Sequence, residues 1–249
     1  FNNTLTRLES SFEQMRQFTA HVSHELRTPL TAMRSVGEVG LRGKRSGPAY
    51  REIIGSMLEE VERLASLVAR LLALSRAETS PAKLAVDAVD LGALAEDVRS
   101  QLDVLAEEKQ QSITIDRIGV PTWTGDRVVL RQALMNLVDN AIKYSPPGGR
   151  ITIRIAESST GVQLDVRDTG PGIPAEVQAR IFDRFYRVEK SRHGDGGGTG
   201  LGLSIARWAV EANGGRLTLE ETDGVGSTFR ITLPKRSLKA PFVPAARAG

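Results

Sequence analysis

The chain contains no cysteine and few aromatic residues, which are 5% of its 249 positions. Disulfides, thiolate metal sites and cysteine nucleophiles are therefore excluded, and a reducing compartment is compatible with the sequence. Surfaces that bind nucleic acid usually interleave aromatic and basic side chains. Because aromatics are scarce and the net charge is only +3, we expect no nucleic acid partner.

Long hydrophobic runs are also missing. No stretch approaches the ~18 apolar residues of a membrane span, and the first residues do not resemble a signal peptide. The hydrophobic share of 40% and the charged share of 25% are ordinary for a folded protein, which excludes wholesale disorder. At about 100 to 200 residues per domain, the length predicts one or two domains.

The first forty residues carry a heptad repeat. From Leu5 to Val36, alternating steps of three and four residues meet apolar side chains at eight of ten positions. This pattern is typical of a helix that packs against other helices. Glycines and a proline at 43–48 predict a break between helices, and a second seam then runs from Ile54 to Leu71.

Two amphipathic helices joined by a short loop predict an antiparallel hairpin over residues 1–79. One hairpin cannot enclose its own apolar stripe. We therefore expect hairpins from two chains to form a four-helix bundle, which makes the protein a homodimer.

Beyond residue 80 the pattern becomes a mixture of helices and alternating strands. The predicted helices cover 91–106, 126–144, a short turn after 174, and 201–212; the predicted strands cover 112–118, 151–156, 162–166, 216–220 and 228–233. The strands 151–156 and 162–166 form a predicted antiparallel hairpin. The fold class is thus a helical hairpin followed by an α/β sandwich with a mixed sheet over 80–235. Residues 236–249 are predicted to be an unstructured tail.

His24 falls opposite the apolar seam of the first helix. Leu26 occupies a seam position, so His24 is expected to face solvent. A lone exposed histidine is usually an ordinary surface residue. Here Glu25 adjoins it, Thr28 follows one turn later, and Pro29 costs a helix interior roughly 3 kcal/mol. Broken local rules beside a reactive group favour a functional site.

The chemistry of this segment is that of a nucleophile beside a base. Much of an imidazole is unprotonated near neutral pH and can attack an electrophile. Glu25 can take the proton from the other ring nitrogen, which makes it a candidate general base. His21 lacks an adjacent acid and is interpreted as a solvated neighbour.

Residues 23–31, Ser-His-Glu-Leu-Arg-Thr-Pro-Leu-Thr, resemble the phosphoacceptor box of bacterial sensor histidine kinases of two-component systems. The resemblance implies that His24 is the phosphorylated residue and Glu25 the base. It also implies that Thr28 orients a water when a phosphorylated response regulator is dephosphorylated.

Polar residues of the predicted helix 126–144 share one stripe. Asn136, Asn140, Lys143 and Tyr144 recur at intervals of four, three and one residues. Helical asparagines are usually only solvated. Two of them in register with a lysine favour a magnesium and phosphate site, because a carboxamide oxygen suits Mg²⁺ and an ammonium suits phosphate oxygens.

A second segment, Asp168-Thr-Gly170-Pro-Gly172, follows a predicted strand. Gly170, Gly172 and Ala175 match a dinucleotide-binding pattern. No crossover helix and acid-ended strand follow, so that interpretation fails. We interpret Asp168 as the acceptor for an adenine amino group, with glycines that let the backbone approach the base.

A third segment, residues 193–202, holds six glycines directly before the predicted helix 201–212. It matches neither the Rossmann nor the P-loop pattern, and a flexible linker is the plain alternative. A helix N-terminus can bind phosphate, so we expect a mobile lid that closes on ATP. The candidate binding residues here are Gly198, Gly200, Leu201 and Gly202.

These segments resemble, in order, the boxes of the ATPase domain shared by histidine kinases, type II topoisomerases, mismatch-repair proteins and a heat-shock chaperone. Residues 136–144 resemble the asparagine box, which implies Asn140 as the Mg²⁺ ligand. Residues 168–172 resemble the adenine box and 198–203 the lid-end glycine box. Residues 182–186 resemble the phenylalanine box, whose aromatic packing positions the lid.

The resemblance covers residues 1–235 and implies a sensor histidine kinase with ATP and Mg²⁺. Its His24 phosphoryl group passes to an aspartate of a cognate response regulator, and a regulator phosphatase activity can accompany it. One alternative is an ATPase machine of the chaperone or topoisomerase kind, which needs no exposed histidine. Another is a dimeric ATP-binding scaffold, which needs neither Glu25 nor Asn140.

The heptad seam is already running at the first residue. We therefore expect upstream membrane and sensor segments outside this chain. On that expectation the chain is the cytoplasmic portion of an inner-membrane protein, and any link to the membrane comes only through those segments.

Overall fold

The computed structural model describes residues 2–43, 46–79, 84–119, 121–187, 200–222 and 224–235. Within the first two helices, the side chains of residues 2–15, 17, 18, 21, 24, 66 and 69–79 are not among those described. The chain divides into two compact units, Phe1–Ala73 and Leu74–Gly249. The predicted tail, 236–249, lies outside the described residues.

Two long helices make up the first unit, as the heptad pattern predicted. Helix α1 spans Asn2–Leu41 and helix α2 spans Gly47–Thr79. A Cβ atom at Gly40 would lie 3.2 Å from Ile53 Cγ2, and one at Gly37 would lie 3.6 Å from Met57 Cε. These two contacts run in opposite sequence directions, so the helices are antiparallel, and the glycines allow their close approach.

The apolar seam of α2 remains partly open in a single chain. Ile54, Val61 and Val68 are 55%, 48% and 45% exposed. Each Å² of apolar surface that these side chains leave in water forgoes about 25 cal/mol of hydrophobic stabilisation. The seam therefore provides a surface that a second copy of the hairpin can cover.

The described residues from 84 onward contain four helices and seven strands. The helices are α3 (Leu91–Glu108), α4 (Arg127–Tyr144), α5 (Ala175–Gln178) and α6 (Gly202–Ala212). The strands are β1 (Val86–Asp90), β2 (Ser112–Arg117), β3 (Thr122–Asp126), β4 (Arg150–Ser158), β5 (Gly161–Arg167), β6 (Arg216–Thr222) and β7 (Ser227–Pro234).

Five of the strands form a mixed sheet in the order β2-β4-β5-β7-β6. Strands β2 and β4 are parallel, and every other neighbouring pair is antiparallel. The predicted hairpin of β4 and β5 is confirmed, with Ile155 opposite Leu164. The predicted fold class, a helical hairpin followed by an α/β sandwich with a mixed sheet, is confirmed.

One face of the sheet is buried beneath α3, α4 and α6. Alternate residues of β4, Ile151, Ile153 and Ile155, are fully buried, as a period of two requires. Leu134 and Ile205 are fully buried on the facing helices. Each such side chain contributes about 1.5–3 kcal/mol by its burial, so the core fixes α4 and α6 against the sheet.

Charged side chains occupy the opposite, open face of the sheet. Arg230 donates from Nε and Nη2 to the two oxygens of Asp165, at 2.7 and 2.8 Å, and from Nη1 to Glu220 at 3.1 Å. The bond to Asp165 raises the pKa of Arg230 above its ordinary range. Arg154 lies opposite Asp165 in the register. The row thus alternates in charge across neighbouring strands.

Strands β1 and β3 form a small antiparallel sheet that the sequence analysis did not predict. Each has five residues, and only Val89 of β1 is buried, so no alternation marks it. Val89 lies opposite Trp123, whose Nε1 donates to the carbonyl of Pro234 at 2.9 Å.

Within the described ranges, no helix combines the length and apolarity needed to cross a bilayer.

Candidate nucleotide and phosphoacceptor sites

Helix α4, which carries the predicted polar stripe, is fixed at its N-terminus. The Asp126 side chain caps it by accepting from the amides of Val128 and Val129, at 2.9 and 3.1 Å. The Asp126 amide in turn donates to Oδ1 of Asn213 at 2.8 Å. Asn213 follows α6 and is fully buried, so the end of α6 holds the start of α4.

Two side chains from the segment before β2 hold the C-terminus of α4. Gln111 donates from Nε2 to the carbonyls of Ile142 and Ser145, at 3.1 and 2.8 Å. Lys109 donates from Nζ to the Ile142 carbonyl at 3.1 Å. The last carbonyls of a helix lack intrahelical partners, and here side chains supply them. The stripe is therefore carried on a helix anchored at both ends.

Asn136 lies between α4 and α6. It is only 5% exposed, and its Nδ2 donates to the carbonyl of Gln132 at 2.7 Å. Its Oδ1 faces the first turn of α6, 3.5 Å from the position of a Cβ at Gly202. The polar stripe and the start of the predicted lid helix are thus adjacent.

The other three stripe residues, Asn140, Lys143 and Tyr144, are half-buried. Lys143 Nζ lies 5.3 Å from the centroid of the Tyr144 ring, within the range of a cation–π contact. These side chains are exposed enough to meet a ligand and are positioned by an anchored helix.

Asp168 is a buried carboxylate with its two oxygens in different situations. Oδ1 accepts from the amides of Gly170 at 2.8 Å and Ser227 at 3.2 Å. Within the described part of the chain, Oδ2 has no hydrogen-bond partner. Burial raises the pKa of Asp168, although the two amide hydrogen bonds lower it in part. The side chain therefore presents one oriented acceptor to a donor group.

The glycines after Asp168 pack closely against protein backbone. A Cβ at Gly170 would lie 3.0 Å from the carbonyl oxygen of Tyr144, at the end of α4. Gly172 has φ of +74°, and its Cβ would lie 2.9 Å from the amide nitrogen of Gly224. These contacts add a requirement for glycine to the predicted one, the approach of a base.

The described part of the glycine-rich segment begins at Gly200, so Gly198 lies outside the described residues. Gly200 has φ of +70°, and a Cβ there would lie 2.7 Å from Phe185 Cα. The Phe185 amide donates to the Gly200 carbonyl at 3.0 Å. Leu201 is fully buried, so only its backbone remains to meet a ligand, and Gly202 begins α6.

The phenylalanine segment shows the expected aromatic packing. The rings of Phe182 and Phe229 meet edge to face, with centroids 6.2 Å apart. The guanidinium of Arg207 lies 5.3 Å from the Phe182 ring, and that of Arg180 lies 4.4 Å from the Tyr186 ring. This cluster joins α6 to the segment that precedes the predicted lid.

His24 lies within α1, and its side chain is outside those described, so its predicted exposure is untested. Glu25 is half-buried, Thr28 is exposed, and Pro29 is buried. Helix α1 continues through Pro29 rather than ending there. Because proline has no amide hydrogen, the Glu25 carbonyl lacks the usual helical donor one turn later.

The adenine segment and the glycine-rich segment both contact α4. Gly170 contacts the carboxyl end of the helix at Tyr144, and Gly202 contacts Asn136 eight positions earlier. At 1.5 Å per residue these contacts are about 12 Å apart along the helix axis. Near Tyr144, Asp168 provides an acceptor for a base. Near Asn136, the N-terminus of α6 can bind phosphate. The two positions therefore match the two ends of a nucleotide.

Two family profiles match the chain. Residues 14–80 match the His Kinase A (phospho-acceptor) domain, and residues 125–237 match the Histidine kinase-, DNA gyrase B-, and HSP90-like ATPase. The chain belongs to the two-component sensor histidine kinases. The profile positions include His24 in the first domain, and Asn140 and Asp168 in the second.

Relatives and solved structures agree with this membership. The histidine kinase chain is 36% identical to the sensor protein IrlS of Burkholderia pseudomallei over 234 residues. The aligned residues are 94% of this chain and 50% of the relative. The chain spans about half the length of the curated relatives it matches.

Two solved histidine kinase structures resemble it. The Acinetobacter baumannii histidine kinase AdeS superposes with a TM-score of 0.68 at 27% identity, over 86% of this chain and 98% of that one. The histidine kinase ThkA in complex with the response regulator protein TrrA gives 0.71 at 25% identity, over 93% of this chain and 65% of that one.

Sequence reasoning missed several residues that position the histidine kinase site. Asn213 precedes two glycines and reads as an ordinary helix end, whereas it is buried against Asp126. Gln111 and Ser227 carry no local signal, because their partners lie more than thirty residues away. A buried polar residue can be recognised only once its partner is known.

Proposed function

We propose that this histidine kinase transfers the γ-phosphoryl group of ATP to His24 and then to an aspartate of a response regulator. The observation that carries the proposal is Asp168, whose Oδ1 is held by two amides while Oδ2 faces no described partner. That single oriented acceptor lies beside the asparagine stripe, in a chain whose first helix contains the His24-Glu25 pair.

In the proposal, ATP lies along α4. Its adenine amino group donates to Asp168 Oδ2, and its base packs beside Gly170 and Gly172. The phosphates lie near Asn136, Asn140 and the N-terminus of α6, where free amides and the helix dipole favour negative charge. Lys143 and Tyr144 contact the nucleotide from the same stripe, and the backbone of Gly200, Leu201 and Gly202 meets it at the start of α6.

Asn140 fits a magnesium ion held together with the nucleotide. No group of three His, Cys, Asp or Glu side chains able to hold a metal occurs among the described residues. Mg²⁺ is commonly bound by one or two protein oxygens, water and substrate phosphates, and the half-buried Asn140 can supply one carboxamide oxygen. When bound, the ion neutralises charge on the phosphate oxygens.

The acceptor chemistry requires a deprotonated ring nitrogen on His24. That nitrogen forms a bond to the γ-phosphorus while the bond from phosphorus to the ADP oxygen breaks. The proton on the other ring nitrogen passes to Glu25, the next residue of α1. In the separate phosphatase reaction, water hydrolyses the aspartyl phosphate of the response regulator and releases inorganic phosphate, and Thr28 orients the attacking water.

The partners follow from the helical hairpin. We propose that the open seam of α2 is covered by a second copy of the hairpin, which gives a homodimer. The hairpin is assigned to residues 1–79 and the ATP-binding domain to 80–235. The response regulator is the second partner; the related kinase ThkA has been crystallised with one. ATP and response regulators place the reaction in the cytoplasm.

Radiolabelled ATP tests the proposal. The wild-type chain should acquire a phosphoryl group that is stable in alkali and labile in acid, and His24→Gln should not. His21→Gln, three residues earlier on the same helix, is the matched control and should label as the wild type does. Labelling that persists in His24→Gln would refute the assignment.

A further inference from the structure

The turn between β6 and β7, together with the strand residues that flank it, contacts the adenine segment and Ile173, the residue that follows it. Thr222 Oγ1 accepts from the amide of Ile173 at 2.5 Å. The Gly224 amide nitrogen lies against Gly172, and the Ser227 amide donates to Asp168 Oδ1. The Asp168 amide also donates to the Ser227 carbonyl at 3.0 Å. Of these contacts, only the one from Thr222, the last residue of β6, uses a side chain from this region.

An irregularity in β6 places Thr222 on the side where it can reach Ile173. The register shifts between Leu219 and Glu221, and Thr222 then lies opposite Ser227. Strict alternation from Leu219 would put Thr222 on the open face of the sheet with Glu220. The extra residue of a bulge reverses the side on which following side chains emerge.

Ile173 is held on both of its backbone groups. Its amide donates to Thr222, and its carbonyl accepts from Nε2 of Gln178 in α5 at 2.9 Å. The same carbonyl lies 3.4 Å from Thr222 Oγ1. Thr222 therefore ties the end of the adenine segment to the β6–β7 turn, and α5 is tied to the same point.

We propose that Thr222 is a positioning residue that sets the width of the adenine pocket, and with it the preference for a 6-amino over a 6-oxo purine. The proposal rests on the function proposed above. Asp168 discriminates between the two purines only if its free oxygen stays at a fixed distance from the base edge. Thr222 fixes that distance, because it joins Ile173, just after the adenine segment, to the start of the β6–β7 turn. Ser227, at the end of the same turn, holds Asp168 Oδ1.

Removal of the Thr222 hydroxyl should reduce the discrimination between ATP and ITP more than it reduces the stability of the fold. In Thr222→Val, which keeps the shape, we expect the KM for ATP to rise roughly three- to tenfold, the effect of one hydrogen bond, with a smaller change in kcat. The ratio of ATP to ITP affinity should fall by a similar factor. Thr222→Ser keeps the hydroxyl and should restore both quantities.

Thr218 provides a matched control on the same strand. Its Oγ1 donates to Glu220 on the open face at 2.6 Å, away from the adenine segment. Thr218→Val should leave the KM and the ATP-to-ITP ratio unchanged. Thermal unfolding without nucleotide is measured for all variants, and Thr222→Ala replaces Thr222→Val if the latter does not fold.

The outcomes separate this proposal from the function itself. If wild-type protein neither binds ATP nor labels His24, the proposed function fails. If wild-type protein binds ATP but Thr222→Val has an unchanged ATP-to-ITP ratio, or loses affinity for both nucleotides equally, the role of Thr222 in positioning is overturned while the function stands.

Discussion

The amide of Asp126 donates to Oδ1 of Asn213 across a distance of 2.8 Å. Asn213 also donates from Nδ2 to the carbonyls of Ala209 and Asp126, at 3.1 and 3.4 Å. Its side chain thus satisfies groups of α6 and of the α4 N-cap at once. The lid-proximal helix and the asparagine helix are thereby joined at the ends remote from Gly202.

This link makes Asn213 a residue of structural importance that carries no chemistry. Asn213→Ala leaves the buried Asp126 amide without an acceptor, so we expect the free energy of unfolding to fall by about 1–3 kcal/mol. Urea denaturation measures the change. Glu211→Ala removes an exposed pair with Arg207 and should cost at most about 0.5 kcal/mol. Equal losses in the two variants would contradict the assignment.

The orientation of Asp168 predicts an exchange of base preference. In Asp168→Asn, Oδ1 can still accept from Gly170 and Ser227, while an amino group replaces the free oxygen. That amino group repels the 6-amino group of adenine and can donate to the 6-oxo group of hypoxanthine. We expect affinity for ATP to fall by a factor of ten or more, the cost of an unpaired buried polar group.

Calorimetric titration of ATP and ITP into both proteins measures this exchange. The ratio of ATP to ITP affinity should fall sharply in Asp168→Asn. A variant that loses both nucleotides to the same extent would show that the carboxylate does not contact position 6 of the base.

The raised pKa of Asp168 predicts that ATP binding weakens early on acidification. A carboxylic acid with a raised pKa takes up its proton at a higher pH than the ordinary value of about 3.9. The protonated group has a hydrogen on one oxygen and accepts poorly from adenine. Affinity should therefore fall as the pH is lowered toward the raised pKa, and a profile that breaks only at an ordinary aspartate pKa would contradict this.

The same shift has the opposite sign for folding without nucleotide. Because the folded state favours the protonated form, the contribution of Asp168 to stability rises as the pH falls through its folded pKa. Asp168→Asn should remove this component from the pH dependence of the free energy of unfolding, as measured by urea denaturation at several pH values.

Gly172 and Gly224 offer a test that separates backbone strain from collision. Both have positive φ, +74° and +79°, but only Gly172 has backbone atoms within 3.0 Å of a built Cβ. Gly224→Ala should cost about 1–2 kcal/mol, the strain of the left-handed conformation. Gly172→Ala should cost more and weaken ATP binding. Equal losses of affinity would show that the contact with Gly224 is unimportant.

The open seam of α2 predicts which substitutions separate the dimer. Val61 is 48% exposed in a single chain and lies on the seam, so Val61→Lys would bury an ammonium in the bundle. We expect a shift from dimer to monomer in light scattering after size-exclusion chromatography. Glu62→Lys, on the neighbouring exposed position, should remain dimeric. A dimeric Val61→Lys would place the interface elsewhere.

The parts of the fold with strong periodicity could be predicted from the sequence. Helix α4 and the β4–β5 hairpin appear where their spacing of apolar residues placed them, because each buries one regular face. Strand β1 was missed, since one buried residue in five leaves no alternation to detect, and its partner β3 was missed with it.

The candidate site, like the fold, contains residues that could be predicted from the sequence and residues that could not. Asn136 and Asp168 could be predicted because their neighbours in sequence form recognisable segments. Thr222 could not, since its side chain reaches Ile173 only after a bulge reverses the strand's alternation. Local spacing cannot reveal a residue whose role depends on a register shift and a distant partner.

The charged row on the open sheet face has a consequence for assembly. Arg154, Asp165 and Arg230 would each have to be dehydrated if a second sheet were laid upon the first, and their mutual pairing would not replace all of the lost water. The domain therefore resists stacking through its sheet and stays a two-layer structure. High local concentrations of this kinase are thus compatible with separate ATP-binding domains.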